Sequence, residues 1–172
     1  MGSGPIFRAI LRGASCVLLA FIAGCASNYL DPSLDDAAPA STARLILKSR
    51  SGIVSFRAFG ESAACAKSQP IAGAIALQAG EDDEADIGVA AGGDFSFAAQ
   101  QIVADGKIGC QALATFRPAA GQRYLATFTG NGAACSLGVM RILSAVPPRV
   151  VAEPTFRARR ASNASGASCE AE

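Results

Sequence analysis

Apolar and polar positions divide the chain into stretches of different character. Residues 1–13 are mixed and carry Arg8 and Arg12, and residues 14–23 (ASCVLLAFIA) form an uncharged apolar run. Residues 26–42 (ASNYLDPSLDDAAPAST) are small, acidic and Pro-containing, without a sustained period, as expected of a tether. From residue 43 to about 143, short alternating runs are separated by turn residues, the mark of an all-β domain. Residues 144–172 lose the alternation. Pro147-Pro148, Arg149, Arg157, Arg159, Arg160 and a Ser/Ala/Gly-rich end predict a loosely structured tail.

Within the domain, residues 43–48 and 53–59 flank Ser49-Arg50-Ser51-Gly52 and predict a hairpin. Residues 71–78 are Ala-rich and suit a helix as well as a strand, and residues 86–90 predict a short strand. Asp105-Gly106 is the dipeptide expected of a two-residue type I′ turn. Pairing Ala104 with Lys107 sets Val103 against Ile108, Gln101 against Cys110, Ala99 against Ala112, Phe97 against Ala114 and Phe95 against Phe116. Nearly all of that face is apolar, and a one-residue slip would destroy the match. After the turn residues 117–121, residues 122–129 put Tyr124, Ala126 and Phe128 on one face. Gly130-Asn131-Gly132 turns the chain again, and Cys135, Leu137 and Val139 continue an apolar face. The expectation is an antiparallel meander over residues 95–142 facing a sheet of the earlier strands. The fold class is an antiparallel β-sandwich of about seven to eight strands.

The N-terminal pattern of basic residues, apolar run and small residues matches a secretory signal. A membrane span needs about 20 apolar residues, and Arg8 and Arg12 interrupt any such stretch. Ile22-Ala23-Gly24-Cys25, directly after the apolar run, resembles the lipobox of bacterial lipoproteins, with Ile in place of the commoner Leu. The resemblance implies cleavage before Cys25, a diacylglycerol thioether on it and acylation of the new N-terminus. Ala26 in the following position implies the outer membrane. The expected partner is therefore a membrane, through lipid on Cys25, with an envelope protein as a candidate second partner. Two or three acyl chains suffice, because one gives only marginal binding. Phe116, Pro118, Gly121 and Tyr124 also form an F-x-P-x-x-G-x-x-Y stretch. It resembles one in uncharacterised small bacterial lipoproteins with transthyretin-like or immunoglobulin-like sandwiches.

Composition narrows the chemistry. The chain has 15 basic and 14 acidic residues, and Arg8 and Arg12 lie ahead of the expected cleavage site. The mature balance of 13 to 14 gives no electrostatic case for nucleic acid. Histidine is absent, which removes Ser-His-Asp and Cys-His catalysis and His-containing metal sites. No catalytic residue, cofactor or metal site is expected. Glu81-Asp82-Asp83-Glu84 with Asp86 is the densest acidic run; it lacks the EF-hand pattern and reads as a solvated loop. Residues 88–93 (GVAAGG) lack the order of a nucleotide-binding loop.

Cys16 leaves with the signal and Cys25 is committed to lipid, so Cys65, Cys110, Cys135 and Cys169 remain as disulfide candidates in an oxidising compartment. In a continuous meander the strand over 122–129 separates Cys110 from Cys135 by about 10 Å, beyond the roughly 7 Å limit for bridged Cα atoms. That disfavours their pairing. Cys65–Cys110 with Cys135–Cys169 is preferred, and Cys65–Cys135 with Cys110–Cys169 stays open. The expected function is a non-enzymatic binding or structural role in the cell envelope. The alternatives are an inhibitor or accessory subunit docking a protein, or a carrier of a small molecule or lipid.

Overall fold

The computed structural model describes residues 40–71, 74, 76–80, 83–161 and 169–170. Its strands are β1 (Thr42–Ser49), β2 (Ile53–Glu61), β3 (Ala66–Pro70), β4 (Leu77–Gln78), β5 (Glu84–Ala90), β6 (Phe95–Ile102), β7 (Ile108–Phe116), β8 (Arg123–Gly130), β9 (Cys135–Ala145), β10 (Pro148–Ala152) and β11 (Arg157–Arg159). No α-helix occurs among the described residues. Two mostly antiparallel sheets form, ordered β10-β9-β8-β1-β5 and β11-β7-β6-β2-β3, with β4 beside the start of β2. The class is the all-β sandwich that the alternation predicts, with more strands.

Period-two alternation explains why the sheets face each other. Strand β1 buries Ala43, Leu45 and Leu47, β2 buries Val54, Phe56 and Ala58, and all six join one core. They reach it from opposite sheets, so the expected β1–β2 hairpin does not form: the chain crosses from one sheet to the other at Arg50–Gly52. An apolar face shows that a strand borders the core. It does not show which sheet the strand joins. Strand β1 instead pairs with β5 antiparallel and with β8 parallel.

The expected meander divides for the same reason. Strands β6 and β7 form the predicted hairpin, with Phe95 opposite Phe116, Phe97 opposite Ala114 and Ala99 opposite Ala112. The register then shifts between Gln100 and Ile102, and Ile102, not Val103, faces Ile108. The turn is also longer than predicted: Gly106 donates to the Val103 carbonyl (3.1 Å) and Val103 to the Lys107 carbonyl (2.8 Å). Asp105 (φ 67°) and Gly106 (φ 72°) both occupy the left-handed region, which Asp tolerates and Gly adopts without cost. After β7 the chain passes to the other sheet, where β8 and β9 form a separate hairpin.

The F-x-P-x-x-G-x-x-Y stretch builds that crossing. The Tyr124 ring meets Phe116 edge-on at 5.0 Å, and its hydroxyl accepts the Ala119 N–H at 2.9 Å. The buried Pro118 gives its carbonyl to Gly92 N–H, and Gly121 (φ 70°) donates to the Thr42 carbonyl. The corner resembles the tyrosine corner of Greek-key sandwiches in tying a buried Tyr back to upstream backbone. Phe56, Phe97, Phe116, Tyr124 and Phe128 fill the centre between the sheets, each contributing about 1.5–3 kcal/mol by burial.

Part of the expected tail is ordered. Strand β10 extends the first sheet beside β9, and β11 extends the second beside β7. Pro148 opens an edge strand, where a missing N–H does little harm. Phe59, Ala98 and Leu113, on the outer face of the second sheet, form a small apolar cluster with Cys65 and Cys169. The chain's end thus covers a patch that a solvated tail would leave bare.

Candidate functional site

Cys25 and the signal and tether residues 1–39 lie outside the described residues, as do Glu81 and Asp82. The rest of the acidic run is engaged along β1 and its neighbours. Asp83 accepts the Gln78 N–H, Glu84 pairs with Lys48 (2.9 Å) and Asp86 with Arg44 (3.0 Å). Glu84 and Asp86 thus lie on strand β5, not on the solvated loop expected of the run, and their side chains are held by ion pairs to β1.

The four remaining cysteines sort into two pairs at opposite ends of the sandwich, and both expected pairings are corrected. Cys65 is bonded to Cys169, with Cα atoms 5.1 Å apart and 104 residues between them in sequence. This pair lies at the end where β1 begins. The Ser62 hydroxyl donates to the Asp94 carbonyl there, and the connection bearing Asp94 follows β5, whose Ala90 pairs with Thr42. Cys169 donates its N–H to the Ala64 carbonyl (3.0 Å), and Arg159 donates to the carbonyls of Ala63 (2.9 Å) and Glu170 (2.8 Å). The guanidinium therefore holds the turn and the tail end against each other beside the disulfide.

Cys110 and Cys135 are both thiols and both half-buried against the main core. The crossing between β7 and β8 explains their proximity. With β8 in the other sheet, no strand separates β7 from β9, so the pair that a continuous meander disfavours is the one brought together. Gln101, a buried polar residue, organises this end. Its Oε1 accepts the Gly132 N–H at 2.8 Å and the Cys110 thiol at 3.6 Å. Two glycines permit close approach. A Cβ on Gly52 (φ 65°) would lie 2.7 Å from Gln101 Nε2, and one on Gly109 would lie 3.3 Å from the Gly132 carbonyl oxygen. Burial, then the hydrogen bond and charge of Cys110, push the Cys135 thiol up to about 12. Beside it opens a shallow cavity of about 290 Å³ lined by Thr129, Gly130, Asn131, Ala134, Cys135 and Ser136.

A charged cluster marks the same end of the sandwich, where β1 begins. Asp94 bonds Arg117 (2.9 Å) and Arg157 (2.7 Å) beside a cavity of about 220 Å³ that Pro154 and Thr155 also line. Burial pushes the Asp94 carboxyl up, but the hydrogen bonds and charges of the two arginines outweigh it and hold it below its ordinary value. In sequence Arg117 is only a turn residue and Arg157 only a tail residue, because their common partner is distant. Gln101 gave no signal as an organising residue: an alternating pattern registers a polar residue on a core face only as an interruption.

Arranged this way, the molecule offers a pair of thiols at one end of the sandwich and ion-paired, crosslinked structure at the end where β1 begins. Compared with known protein families and with curated proteins, the chain finds no match.

Proposed function

We propose that the protein is a lipid-anchored β-sandwich of the bacterial cell envelope, on the outer membrane, with a non-enzymatic binding or structural role. The observation that carries this reading is the placement of Ile22-Ala23-Gly24-Cys25 directly after the apolar run 14–23, with Arg8 and Arg12 ahead of it. The Cys65–Cys169 crosslink supports it, since such bonds persist in oxidising compartments outside the cytosol. Between Cys25 and β1, a 16-residue tether of roughly 53–58 Å full extension would hold the crosslinked end nearest the bilayer. Fractionation tests the reading. The wild type should sediment with outer-membrane vesicles, and Cys25→Ser should become soluble after washing. Equal sedimentation of both would count against lipid anchoring.

A second reading is a subunit or inhibitor that docks an envelope protein through a sheet edge. What favours it is β10, which ends its sheet with all five residues exposed; Val150 is 46% exposed and neighbouring Val146 is 88% exposed. An open edge with exposed apolar side chains is a template for pairing with another chain. Cross-linking in the native envelope should capture a defined partner, and Val150→Arg should reduce that capture. Undiminished capture would set this reading aside. The aromatic filling between the sheets gives the carrier reading no comparable support.

A further inference from the structure

We propose that Cys110 and Cys135 are a redox-active dithiol at the far end of the sandwich, closing by exchange with a small disulfide of the oxidised-glutathione class into a bond between the two sheets. The two thiols come from different sheets, one on β7 and one on β9, and meet because the chain changes sheet between them. Gln101 fixes their surroundings by binding the Cys110 thiol and the Gly132 N–H through one oxygen. Glycine at 109 lets the start of β7 come close to the Gly132 backbone. Gly130 pairs with Cys135 across the β8–β9 hairpin, and a Cβ on Gly130 would lie 3.1 Å from the Cys135 Cβ. The cavity over residues 129–136 opens on the Cys135 side of the pair. Cys65 and Cys169, by contrast, are almost wholly buried and already bonded.

The exchange balances in two steps. The Cys110 sulfur, having lost its proton to solvent, attacks one sulfur of the small disulfide. That S–S bond breaks, a mixed disulfide forms on Cys110, and the first small thiolate leaves and takes up a proton. Cys135 then attacks the Cys110 sulfur; its proton goes to the second departing thiolate and the Cys110–Cys135 bond forms. Two protein thiols are oxidised and one small disulfide is reduced to two thiols. Cys135, held protonated by burial and by its neighbour, is slow to attack first; once Cys110 is in the mixed disulfide its charge is gone, and the sulfur to be attacked lies beside Cys135.

Tryptic mapping tests this, because cleavage after Lys107, Arg123 and Arg141 puts the two cysteines on separate peptides, residues 108–123 and 124–141. The full-length protein, folded and mildly reduced, is treated with oxidised glutathione, alkylated and digested without reductant. The expected result is a crosslinked 108–123/124–141 peptide and loss of both alkylation sites, faster in the folded chain than in urea. Alkylation of both cysteines, or stable glutathione adducts on both, would overturn the proposal. In Cys135→Ser, Cys110 should be trapped as a glutathione adduct. In Cys110→Ser, Cys135 should stay largely unmodified over the same time, and equally rapid adducts in both variants would overturn the order of steps.

Discussion

Breaking the Cys65–Cys169 bond should cost this fold more than any single hydrogen bond in it. The bond closes a loop of 104 residues. Restricting the unfolded chain by a loop of that length is worth about 4.7 kcal/mol in the chain-entropy account, and measured values are commonly about 2–4 kcal/mol. Two native features should hold the larger figure. The bonded cysteines complete the outer cluster with Phe59, Ala98 and Leu113, and Arg159 ties both sides of the bridge. With a urea dependence near 2 kcal/mol/M, a loss of about 4 kcal/mol lowers the midpoint by roughly 2 M. The assay is urea unfolding of Cys65→Ser, Cys169→Ser and the double variant, followed by circular dichroism. All three should fall together, because either single substitution removes the whole crosslink. A loss below about 1 kcal/mol, or a double variant with the sum of the single losses, would refute the reasoning.

Other expectations follow from local geometry. Gly52→Ala should destabilise by about 1–2 kcal/mol, since it places a Cβ 2.7 Å from Gln101 Nε2 at φ 65°; thermal unfolding measures it. Tyr124→Phe should lose about 0.5–1.5 kcal/mol, because the part-buried bond from the Ala119 N–H goes while the ring packing stays; urea unfolding should show no change in slope. Asp94, held below 3.8, contributes stability that is present above that pH and lost as pH falls through the lower folded value. The Tm advantage of wild type over Asp94→Asn should therefore be full at pH 6 and shrink as pH falls below 3.8. For Cys135, raised from 9.0 to about 12, the sign is opposite. Its contribution is complete below pH 9 and is lost as pH rises toward 12. At pH 8 its thiolate is roughly 1000-fold scarcer than that of a free thiol, so iodoacetamide should label it far more slowly in the folded chain than in urea.

The sequence was most legible where one strand answered another directly. Phe95, Phe97 and Ala99 set the β6–β7 register because aromatic and small residues match on one face only in that alignment. Sheet membership was not legible, since Leu45 and Phe56, like Phe116 and Tyr124, present the same alternation from opposite sides of one core. The cysteine pairing followed from that. Placing β8 between β7 and β9 excluded the contact that the sheet crossing creates. The tail's order was illegible for a different reason. Its arginines resemble solvated charge until Asp94 and the carbonyls of Ala63 and Glu170 lie beside them. The nine-residue F-x-P-x-x-G-x-x-Y stretch reads in sequence only as a strand-turn-strand; in the structure it builds the crossing, through the Tyr124 hydroxyl and the Gly121 turn.

The central claim concerns Cys25, and metabolic labelling with palmitate tests it most directly. Cells producing the wild-type chain should incorporate label into a product beginning at Cys25, and cells producing Cys25→Ser should give none. Equal labelling of the two, or an unlabelled wild type that keeps residues 1–24, would contradict a lipid-anchored envelope protein.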